Sequence, residues 1–387
     1  MHAMNLARIP APTILNCVLS PADERRAIPF GAIAARPPEE DQCMNMNQGL
    51  ARCSLATLSQ LSVVLVLSAG WGIAAAADAK KPHYPIIDVH AHALFLEYFD
   101  TIGYPNDRWT GKPTPRYTDE TLARAALSAM DHYNVVKAVL SGKPREEEIW
   151  KQIAPNRFIL SALAGGPYNL PVDEVRRQIQ SGHVQAIGEV FTQYFGNPFD
   201  SPDVEPYYKL ADEYGLTVDV HAGISEPTEV KASGLTKFRV ALGNPLIGME
   251  EAMIKYPNAR FDLGHAAYPF AEATVALMQM YPDLYVDTAA IGYAVPRKGF
   301  HDYLRRLIEG ADGIDKRIMF ASDFYLWPES QIRLSVEAID SAKFLTEDQK
   351  KDIFCRNAQR FLKLDPSVCE AQTPASHRAR AAANSKS

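Results

Sequence analysis

From Pro85 onward the chain alternates short β-branched runs with amphipathic helical stretches, and this repeat constrains the fold more than any other feature. Such alternation is expected of repeated βα units around a parallel sheet. Eight runs are predicted to be strands, at residues 86–89, 135–140, 158–163, 184–190, 216–220, 259–263, 284–287 and 317–321. Eight such units close a (β/α)8 barrel, the TIM-barrel architecture of the α/β class.

The stretches between these runs place apolar residues three to four apart, which is the spacing of one helix face. The predicted faces are Leu122, Ala126 and Met130, then Val172, Val175 and Ile179, then Val275, Met278 and Met280. A doubly wound open sheet is the alternative architecture. That fold usually carries a Gly-rich phosphate loop after its first strand, whereas this first strand ends in two histidines. The barrel is therefore preferred.

The length sets the domain organisation. A chain of 387 residues fits one barrel of about 250 residues with extensions. We assign the barrel to residues 81–365. After Lys363 the chain is rich in Ala, Ser, Arg and Lys with few large apolar residues, so residues 366–387 are predicted to be a disordered tail.

Residues 44–80 are predicted to be a signal peptide with a linker. Arg52 precedes an apolar stretch over residues 58–77 that ends in alanines, and charged residues follow. A basic flank, a short apolar core and small residues at its end are the features of secretory signals. A membrane anchor or a buried helix is the alternative, although the stretch is marginal for spanning about 30 Å of hydrocarbon. We expect cleavage near Ala77 and a periplasmic or extracellular protein, without a stable membrane span after processing.

Residues 1–43 differ from the rest of the chain. They are rich in proline, lack periodicity and precede Met44 and Met46, either of which would start a compact signal sequence. We therefore predict that they are a non-translated or disordered extension.

The charge balance indicates the kind of partner. The chain has 46 acidic and 40 basic residues, a net charge of −6. Because it lacks the basic stripe that a duplex-binding surface needs, we expect a small-molecule substrate and no nucleic acid. A homodimer is compatible with the sequence, which does not fix the assembly.

The cysteines do not form a disulfide framework. Three of the five lie in the N-terminal segment, which leaves Cys355 and Cys369. A bridge between these two would need an oxidising compartment and would hold only the C-terminal tail, so we do not expect it.

His90 and His92 end the first predicted strand. Two residues apart on a strand, they project from the same face, and in a barrel that face can be the interior. A divalent metal would satisfy both ring nitrogens in apolar surroundings. Three more polar groups follow predicted strand ends, namely His221 after the fifth, His265 after the sixth and Asp323 after the eighth. Catalytic groups of barrels stand at the C-terminal ends of strands, so these side chains are expected to meet above one cavity.

The sequence resembles the amidohydrolase superfamily in the Asp88-Val89-His90-Ala91-His92 opening, the single histidines after strands five and six and Ser322-Asp323. More narrowly, it is similar to the amidohydrolase-related (amidohydrolase 2) branch that includes aminocarboxymuconate-semialdehyde decarboxylase. The closing Asn357-Ala358-Gln359-Arg360-Phe361-Leu362 is similar to that branch's terminal signature. The resemblance covers about Pro85 to Leu364.

This resemblance implies a divalent metal, zinc first of all, as one ion or two. It makes His90, His92, His221 and Asp323 ligands, with His265 binding a second metal or orienting water. Asp323 would also take the proton of the bound water as the catalytic base, with His265 beside it as a second catalytic group. The alternative reading makes His221 and His265 hydrogen-bonded core residues and Asp323 a turn cap.

Two further acids accompany this set. Gly188-Glu189 in the fourth strand is similar to the motif of related metal-dependent deoxyribonucleases, which makes Glu189 the anchor of a second metal; a salt bridge is the alternative. Asp88 precedes the histidine pair by two and would share its face, either bonding a ligand histidine or packing.

Four long connections after strands, at residues 93–118, 191–202, 222–248 and 288–298, predict a pocket at one mouth. Arg297 and Lys298, with Tyr293, are candidates for receiving a substrate carboxylate. Aromatic residues that would line an apolar cleft lie in the first connection, at Phe95, Tyr98, Phe99, Tyr104 and Trp109.

Hydrolysis of an ester, lactone or amide by metal-bound hydroxide is the preferred reaction. Non-oxidative decarboxylation of an aromatic or muconate-type acid is the alternative, by analogy with the named branch. The decarboxylases most similar to resorcylate-type enzymes often have glutamate in place of the first histidine, which here is His90. An exported metal-binding protein without activity is the third hypothesis. The presence of His265 and Asp323 beside the ligands argues against it, because a purely structural site needs only closed coordination and no position for water.

Overall fold

The computed structural model describes residues 84–93, 96–166, 169–224 and 237–370, with the side chains of residues 98, 101 and 102 left aside. All of them belong to one compact unit within residues 73–387. The predicted N-terminal extension and signal peptide lie outside the described residues, as does the tail from residue 371. No helix of the described ranges is both long enough and apolar enough to cross a membrane.

Eight parallel strands pair in chain order, and the predicted (β/α)8 barrel is confirmed. The strands are β1 (Ile86–Ala93), β2 (Val135–Gly142), β3 (Phe158–Ala164), β4 (Val184–Val190), β5 (Thr217–His221), β6 (Arg260–Gly264), β7 (Tyr285–Asp287) and β8 (Ile318–Met319). Beyond β8 the chain runs on beside β1, where Val89 N donates to Phe320 O and His92 N donates to Phe324 O. These bonds bring the last strand back to the first.

Helices cover the outside of the sheet. They are α1 (Leu96–Ile102), α2 (Asp119–Tyr133), α3 (Pro144–Ile153), α4 (Val172–Gln180), α5 (Glu205–Tyr214), α6 (Met249–Lys255), α7 (Ala271–Met280), α8 (Ile291–Ala294), α9 (Arg297–Gly310), α10 (Pro328–Asp340), α11 (Glu347–Lys351) and α12 (Asn357–Phe361). A π-helical turn over residues 352–356 joins α11 to α12, and short 3-10 turns lie at Thr192–Phe195, Val240–Gly243, His265–Ala267, Ile314–Arg317 and Pro366–Cys369.

Local sequence explains α2 well. Thr118 caps the helix by accepting from Thr121 N, and the side chain of Thr121 accepts from the backbone of Thr118 in return. Leu122, Ala126 and Met130 are buried, as their spacing predicts. The predicted face of α7 is wrong at Met280, which is 72% exposed because it lies only two residues from the buried Met278.

The lower half of the barrel, at the N-terminal ends of the strands, is apolar. Ile87, Val89 and Met319 pack there with Phe361 of α12. Cys355 belongs to the same cluster and is disulfide-bonded to Cys369, which corrects our expectation that these cysteines stay unpaired. The start of the predicted tail is therefore ordered, as a short helical turn that the bridge joins to the barrel.

β-Bulges turn the first and fourth strands at the residues predicted as metal ligands. In β1 the pairing register with β2 shifts between Asp88 and Ala91. Ile87 and Val89 pack in the apolar interior, whereas Ala91 packs in the outer core against the helices. The inward face therefore changes from odd to even residues and presents His90 and His92. Such an extra residue re-aims side chains next to active sites.

The bulge in β4 has the same effect on Glu189. The register with β5 shifts between Ile187 and Val190. Gly188 has a φ of +132°, and a Cβ there would lie 2.7 Å from Asp219 O. Only glycine fits this position, because an L side chain would be strained in this conformation and would meet the neighbouring strand.

Candidate metal centre

The six side chains predicted as ligands or catalytic groups meet at the upper end of the barrel, where the strands stop. His90 and His92 lie in β1, Glu189 in β4 and His221 at the end of β5. His265 directly follows β6, and Asp323 lies beside β1, with its backbone N donating to His90 O at 2.9 Å. Three overlapping groups of these residues bring their ligand atoms within 4.8 Å of one another: His90, His92 and Glu189; His90, His265 and Asp323; Glu189, His221 and His265.

The first part of the centre is built from β1 and the chain after β8. His92 Nε2 lies 3.1 Å from Asp323 Oδ1 and 3.4 Å from Glu189 Oε2. His90 Nε2 lies 3.8 Å from the same Asp323 oxygen and 3.6 Å from the same Glu189 oxygen. Two imidazoles and two carboxylates thus face one point.

The second part is built from β5 and the turn after β6. His221 Nδ1 lies 2.5 Å from Glu189 Oε1, and His265 Nε2 lies 2.9 Å from that His221 nitrogen. The two oxygens of Glu189 face different histidine pairs. This carboxylate therefore lies between the two parts and can hold one ion or bridge two.

The donor set fits a divalent metal ion. His90 Nε2, which faces the centre, is buried and has no hydrogen-bond partner among the described residues. A buried ring nitrogen without a partner is costly, and a metal ion removes that cost. Neutral imidazoles and carboxylates are the usual ligands of zinc, and manganese also accepts them.

Neighbouring groups orient the histidines through their other ring nitrogens. His90 Nδ1 lies 3.1 Å from Asp287 Oδ2, and His92 Nδ1 lies 3.1 Å from Ser141 Oγ. His265 Nδ1 donates to Ala289 O at 2.9 Å. In each case Nε2 is left facing the centre, which is the arrangement that fixes the tautomer of a ligand histidine.

Asp287, at the end of β7, organises more of the centre than the sequence indicated. Its Oδ1 accepts from the backbone N of His265 at 2.9 Å and from that of Ala289 at 2.8 Å. Its Oδ2 faces His90. Sequence reasoning missed this residue, although its place at a strand end is the same signal that identified the histidines.

The two carboxylates of the centre are held in their ionised form. Burial works against ionisation of Glu189, but the charges of His90 and His221 outweigh it and hold the pKa of Glu189 well below its usual value. Burial likewise opposes ionisation of Asp323, yet contact with His92 and the charge of His90 lower its pKa. Both carboxylates are therefore ionised at neutral pH, as metal ligands must be.

Comparison with known proteins now defines the family. The family described as Amidohydrolase matches residues 87–364. This chain belongs to that family. Membership supports a metal-dependent enzyme acting on a small molecule, and it accounts for a cluster of histidines and acids at the mouth of a barrel. A search of curated proteins gives no match.

Solved structures resemble this chain at low sequence identity. An uncharacterised TIM-barrel protein from Bordetella bronchiseptica has a TM-score of 0.51 at 13% identity, over 72% of this chain and 98% of its own. A 4-oxalomesaconate hydratase from Rhodopseudomonas palustris has a TM-score of 0.48 at 17% identity, over 77% and 99%. A 5-carboxyvanillate decarboxylase from Sphingomonas paucimobilis has 0.44 at 15%, over 73% and 99%. At these identities the likeness concerns the fold alone.

Asp88 of this amidohydrolase bonds the backbone of His90 and both the backbone and the side chain of Ser322, and no histidine ring among the described residues. The bulge turns it away from the face of His90 and His92, so the expected shared face is wrong. Its carboxylate accepts from Ser322 Oγ and N and from His90 N. Asp88 thereby joins the β1 histidines to the segment that carries Asp323.

Aromatic residues from several loops flank the centre. Trp109 packs against Tyr293 at 4.9 Å between ring centroids and against Trp327 at 5.8 Å. On another side, Tyr194 packs edge-on against His221 at 4.8 Å and against Phe238 at 5.4 Å. These rings form apolar walls beside polar ligands, which is the usual make-up of a small-molecule site.

The other predicted aromatics of the first loop have different places. Phe99 and Tyr104 pack against each other, with ring centroids 5.8 Å apart. Phe95 and the side chain of Tyr98 lie outside the described residues. Of the aromatic residues predicted in this loop, Trp109 contacts the loops after β7 and β8, at Tyr293 and Trp327.

The structure directs the two predicted carboxylate receptors away from the centre. Arg297 donates to the backbone oxygens of Gly292 and Leu334, at 3.2 and 3.3 Å. Lys298 is 88% exposed and pairs with Asp302. Tyr293, in contrast, reaches the site, where its hydroxyl donates to Asp323 O at 3.2 Å.

Gln331 of α10 is a buried amide that holds this corner together. Its Nε2 donates to Asp323 O at 3.0 Å and to the Tyr293 hydroxyl at 3.1 Å. Its Oε1 accepts from the backbone N of Tyr325 and Trp327. Asp323 has a φ of +51°, which is uncommon for a residue with a side chain, so these bonds support a conformation that the local sequence does not favour.

Proposed function

We propose that this amidohydrolase cleaves an ester, lactone or amide bond of a small substrate by metal-dependent hydrolysis. One observation carries the proposal: the Asp323 carboxylate lies beside the Nε2 atoms of both β1 histidines, at 3.1 Å from His92 and 3.8 Å from His90. A carboxylate at this place can ligate a metal and also accept a proton from an attacking water.

The residues divide the chemistry between them. Asp323, kept ionised by the neighbouring imidazoles, accepts the proton of water and can return it to the leaving oxygen or nitrogen. Burial disfavours charge on His265, but its contact with Glu189 and the charge of Asp323 raise its pKa to about 9. A protonated His265 can stabilise the oxyanion that develops on the attacked carbonyl.

His90, His92, His221 and Glu189 would hold the metal together with Asp323, with zinc as the proposed ion and room for one or two. When bound, the ion acidifies water and polarises the carbonyl. Trp109, Tyr293 and Trp327 would contact the apolar part of the substrate.

The test combines metal analysis with a substrate panel. The purified protein is assayed on esters, lactones, amides and aromatic acids, before and after removal of metal by a chelator. We expect hydrolysis of at least one carbonyl substrate, lost with the metal and restored by zinc. Asp323→Asn should retain metal and lose turnover by roughly 10²-fold or more, the size of a general acid–base contribution.

The matched control is Asp312→Asn, which changes an exposed carboxylate before β8 and should leave turnover unchanged. Release of CO2 from an aromatic acid without hydrolysis of any carbonyl substrate would overturn the proposal in favour of decarboxylation. Hydrolysis that survives complete metal removal would also overturn it.

We further propose that the enzyme is exported. The disulfide between Cys355 and Cys369 supports this proposal, because such bridges persist in oxidising compartments. Fractionation of cells and N-terminal sequencing of the mature protein test it, with a start shortly after Ala77 expected. A cytoplasmic enzyme that retains residues 52–77 contradicts it.

A further inference from the structure

A small enclosed cavity lies inside the barrel next to His90. It is lined by Val139, Ser161, Gly188, Thr217, Asp219 and Asp262, and Phe361 also borders it. It has room for about one water-sized occupant. The cavity thus lies between the metal centre and the apolar cluster that contains Phe361 of α12.

Two carboxylates face this cavity from adjacent strands, one of them buried and the other with 13% of its side chain exposed. Asp219 in β5 and Asp262 in β6 are register partners in the parallel pair, so their side chains stand next to each other. Asp262 is 1% exposed, and both of its carboxylate oxygens lack a hydrogen-bond partner in the described part of the chain. Asp219 Oδ1 is also buried and unpartnered there.

The surrounding groups provide few partners for these two carboxylates. Asp219 Oδ2 lies 3.1 Å from His90 Nδ1, but the same nitrogen also faces Asp287 at 3.1 Å. A single N–H is therefore shared by two carboxylates. Among residues 84–370 that the structure describes, no lysine or arginine forms an ion pair with Asp219 or Asp262. Like charges side by side on neighbouring strands are unfavourable, the more so when buried.

We propose that this cavity binds a hard cation of calcium type, separate from the ions of the histidine centre. Besides His90, the polar residues that line the cavity carry oxygen donors, among them the free carboxylate oxygens of Asp219 and Asp262 and the hydroxyls of Ser161 and Thr217. The Ser161 hydroxyl donates to Gly188 O at 2.8 Å, which leaves its lone pairs for a cation. Oxygen-rich sites select hard cations, whereas the histidines above suit zinc.

Calcium fits better than magnesium. Magnesium keeps several waters and demands octahedral geometry, for which a cavity of this size has no room. Calcium accepts irregular sets of protein oxygens, and its two charges match those of the two carboxylates. The bound cation would support the floor of the metal centre through Asp219 and His90. This inference does not depend on which bond the enzyme cleaves.

The test uses Ca²⁺ as the probe on the full-length, zinc-loaded enzyme. The protein is equilibrated with Ca²⁺, passed through a desalting column, and analysed for calcium and zinc by elemental analysis in the same run. We expect about one retained calcium per chain in addition to zinc. Asp262→Asn should lose at least about tenfold in retained calcium while zinc stays bound, because the side chain keeps its shape and loses its charge.

Asp283→Asn, which removes an exposed carboxylate just before β7, is the matched control and should retain calcium. If Asp262→Asn fails to fold, Thr217→Val keeps the side-chain shape and removes one oxygen donor, and it should also lower the retained calcium. Wild-type enzyme that retains no calcium, or variants of Asp262 and Thr217 that retain as much as wild type, would overturn the proposal. The zinc content and the hydrolytic assay report separately on the histidine centre.

Discussion

The two ends of the barrel interior differ although the same strands build both. At the lower end Ile87, Val89 and Met319 pack against Phe361 in an apolar cluster. At the upper end His90, His92 and Glu189 face one another with buried carboxylates around them. The change occurs within a few residues along β1 and β4, at a bulge in each strand.

This difference shows how a barrel separates stability from chemistry. Burial of apolar side chains at the N-terminal ends of the strands stabilises the fold. The C-terminal ends carry polar groups that are costly to bury and that a metal can satisfy. Substitutions at the lower end should therefore change unfolding and leave catalysis intact. Substitutions at the upper end should do the reverse.

The largest effect is expected when both β1 histidines are removed. His90→Ala with His92→Ala deletes two of the donors that face Asp323 and Glu189. We expect loss of bound metal and at least a roughly 10³-fold fall in kcat/KM, because catalysis depends on the metal. Elemental analysis and assay of the same sample measure both. Full metal content in the double variant would contradict the assignment of the centre.

At the opposite end, Ile87→Ala should reduce the free energy of unfolding by about 2–5 kcal/mol, as for large-to-small changes in a core. Ile87 is fully buried and packs in the apolar cluster of the lower end. Denaturant titration measures the loss. Turnover per folded molecule should stay within about twofold of wild type. A loss of turnover without a loss of stability would contradict the assignment of stability to the lower end and of catalysis to the upper end.

Gln331 tests how strongly the upper end depends on support from outside the barrel. Gln331→Leu removes the bonds to Asp323 O and the Tyr293 hydroxyl. We expect kcat to fall roughly 10–100-fold, the usual cost of losing such a supporting bond, with little change in KM and with metal retained. Steady-state kinetics on the best substrate measures this split.

The conservative variant Gln331→Glu keeps the acceptor for Tyr325 N and Trp327 N and should recover part of kcat. Gln152→Leu, on an exposed face of α3, is the matched control and should leave both constants unchanged. Equal losses of kcat in Gln331→Leu and Gln152→Leu would show that turnover does not depend on the bonds of Gln331.

The smallest effect concerns a buried acid outside the barrel. Burial raises the pKa of Glu147 well above its usual value, although the backbone N–H of Gly142 opposes this. The folded state therefore binds the proton more tightly than the unfolded state. This contribution to stability is present at pH below the unfolded pKa and is lost as pH rises through the folded pKa.

The glutamine of Glu147→Gln cannot ionise, so this variant avoids the loss of stability at high pH. We therefore expect the Tm of the metal-loaded enzyme to rise by roughly 2–4 °C at pH 8, with little change at pH 4. Thermal unfolding at the two pH values measures it. Glu148→Gln, at the exposed neighbouring position, should change neither value. A gain that is the same at both pH values would indicate that ionisation of Glu147 is not its cause.

Much of the fold could be predicted because its signals are local. The alternation of β-branched runs with amphipathic helices gives eight strands in the right places, and β4 has the predicted bounds of Val184–Val190. Strand ends were less well predicted. β8 is only Ile318–Met319, since pairing of the following residues with β1 depends on a strand more than 200 positions earlier.

The candidate site was predicted in part. His90, His221, His265 and Asp323 were found because polar residues at strand ends form a pattern that one sequence can show. Asp287 and Gln331 were missed, since an acid or an amide near a strand or in a helix has no distinctive spacing. Their roles follow only from partners far away in the chain, such as His90 for Asp287.

The sequence by itself determined the number of βα units, the end of the barrel at which the candidate ligands lie and the residue types that can bind a metal. Tertiary structure alone decided which ring nitrogen faces the centre, how the two bulges turn β1 and β4 inward, and that Cys355 pairs with Cys369. The physical reason is the distance along the chain between the residues that set each property. Periodicity and strand-end position are set by neighbours in sequence, whereas register, ring orientation and burial of charge depend on contacts between strands that only the closed barrel brings together.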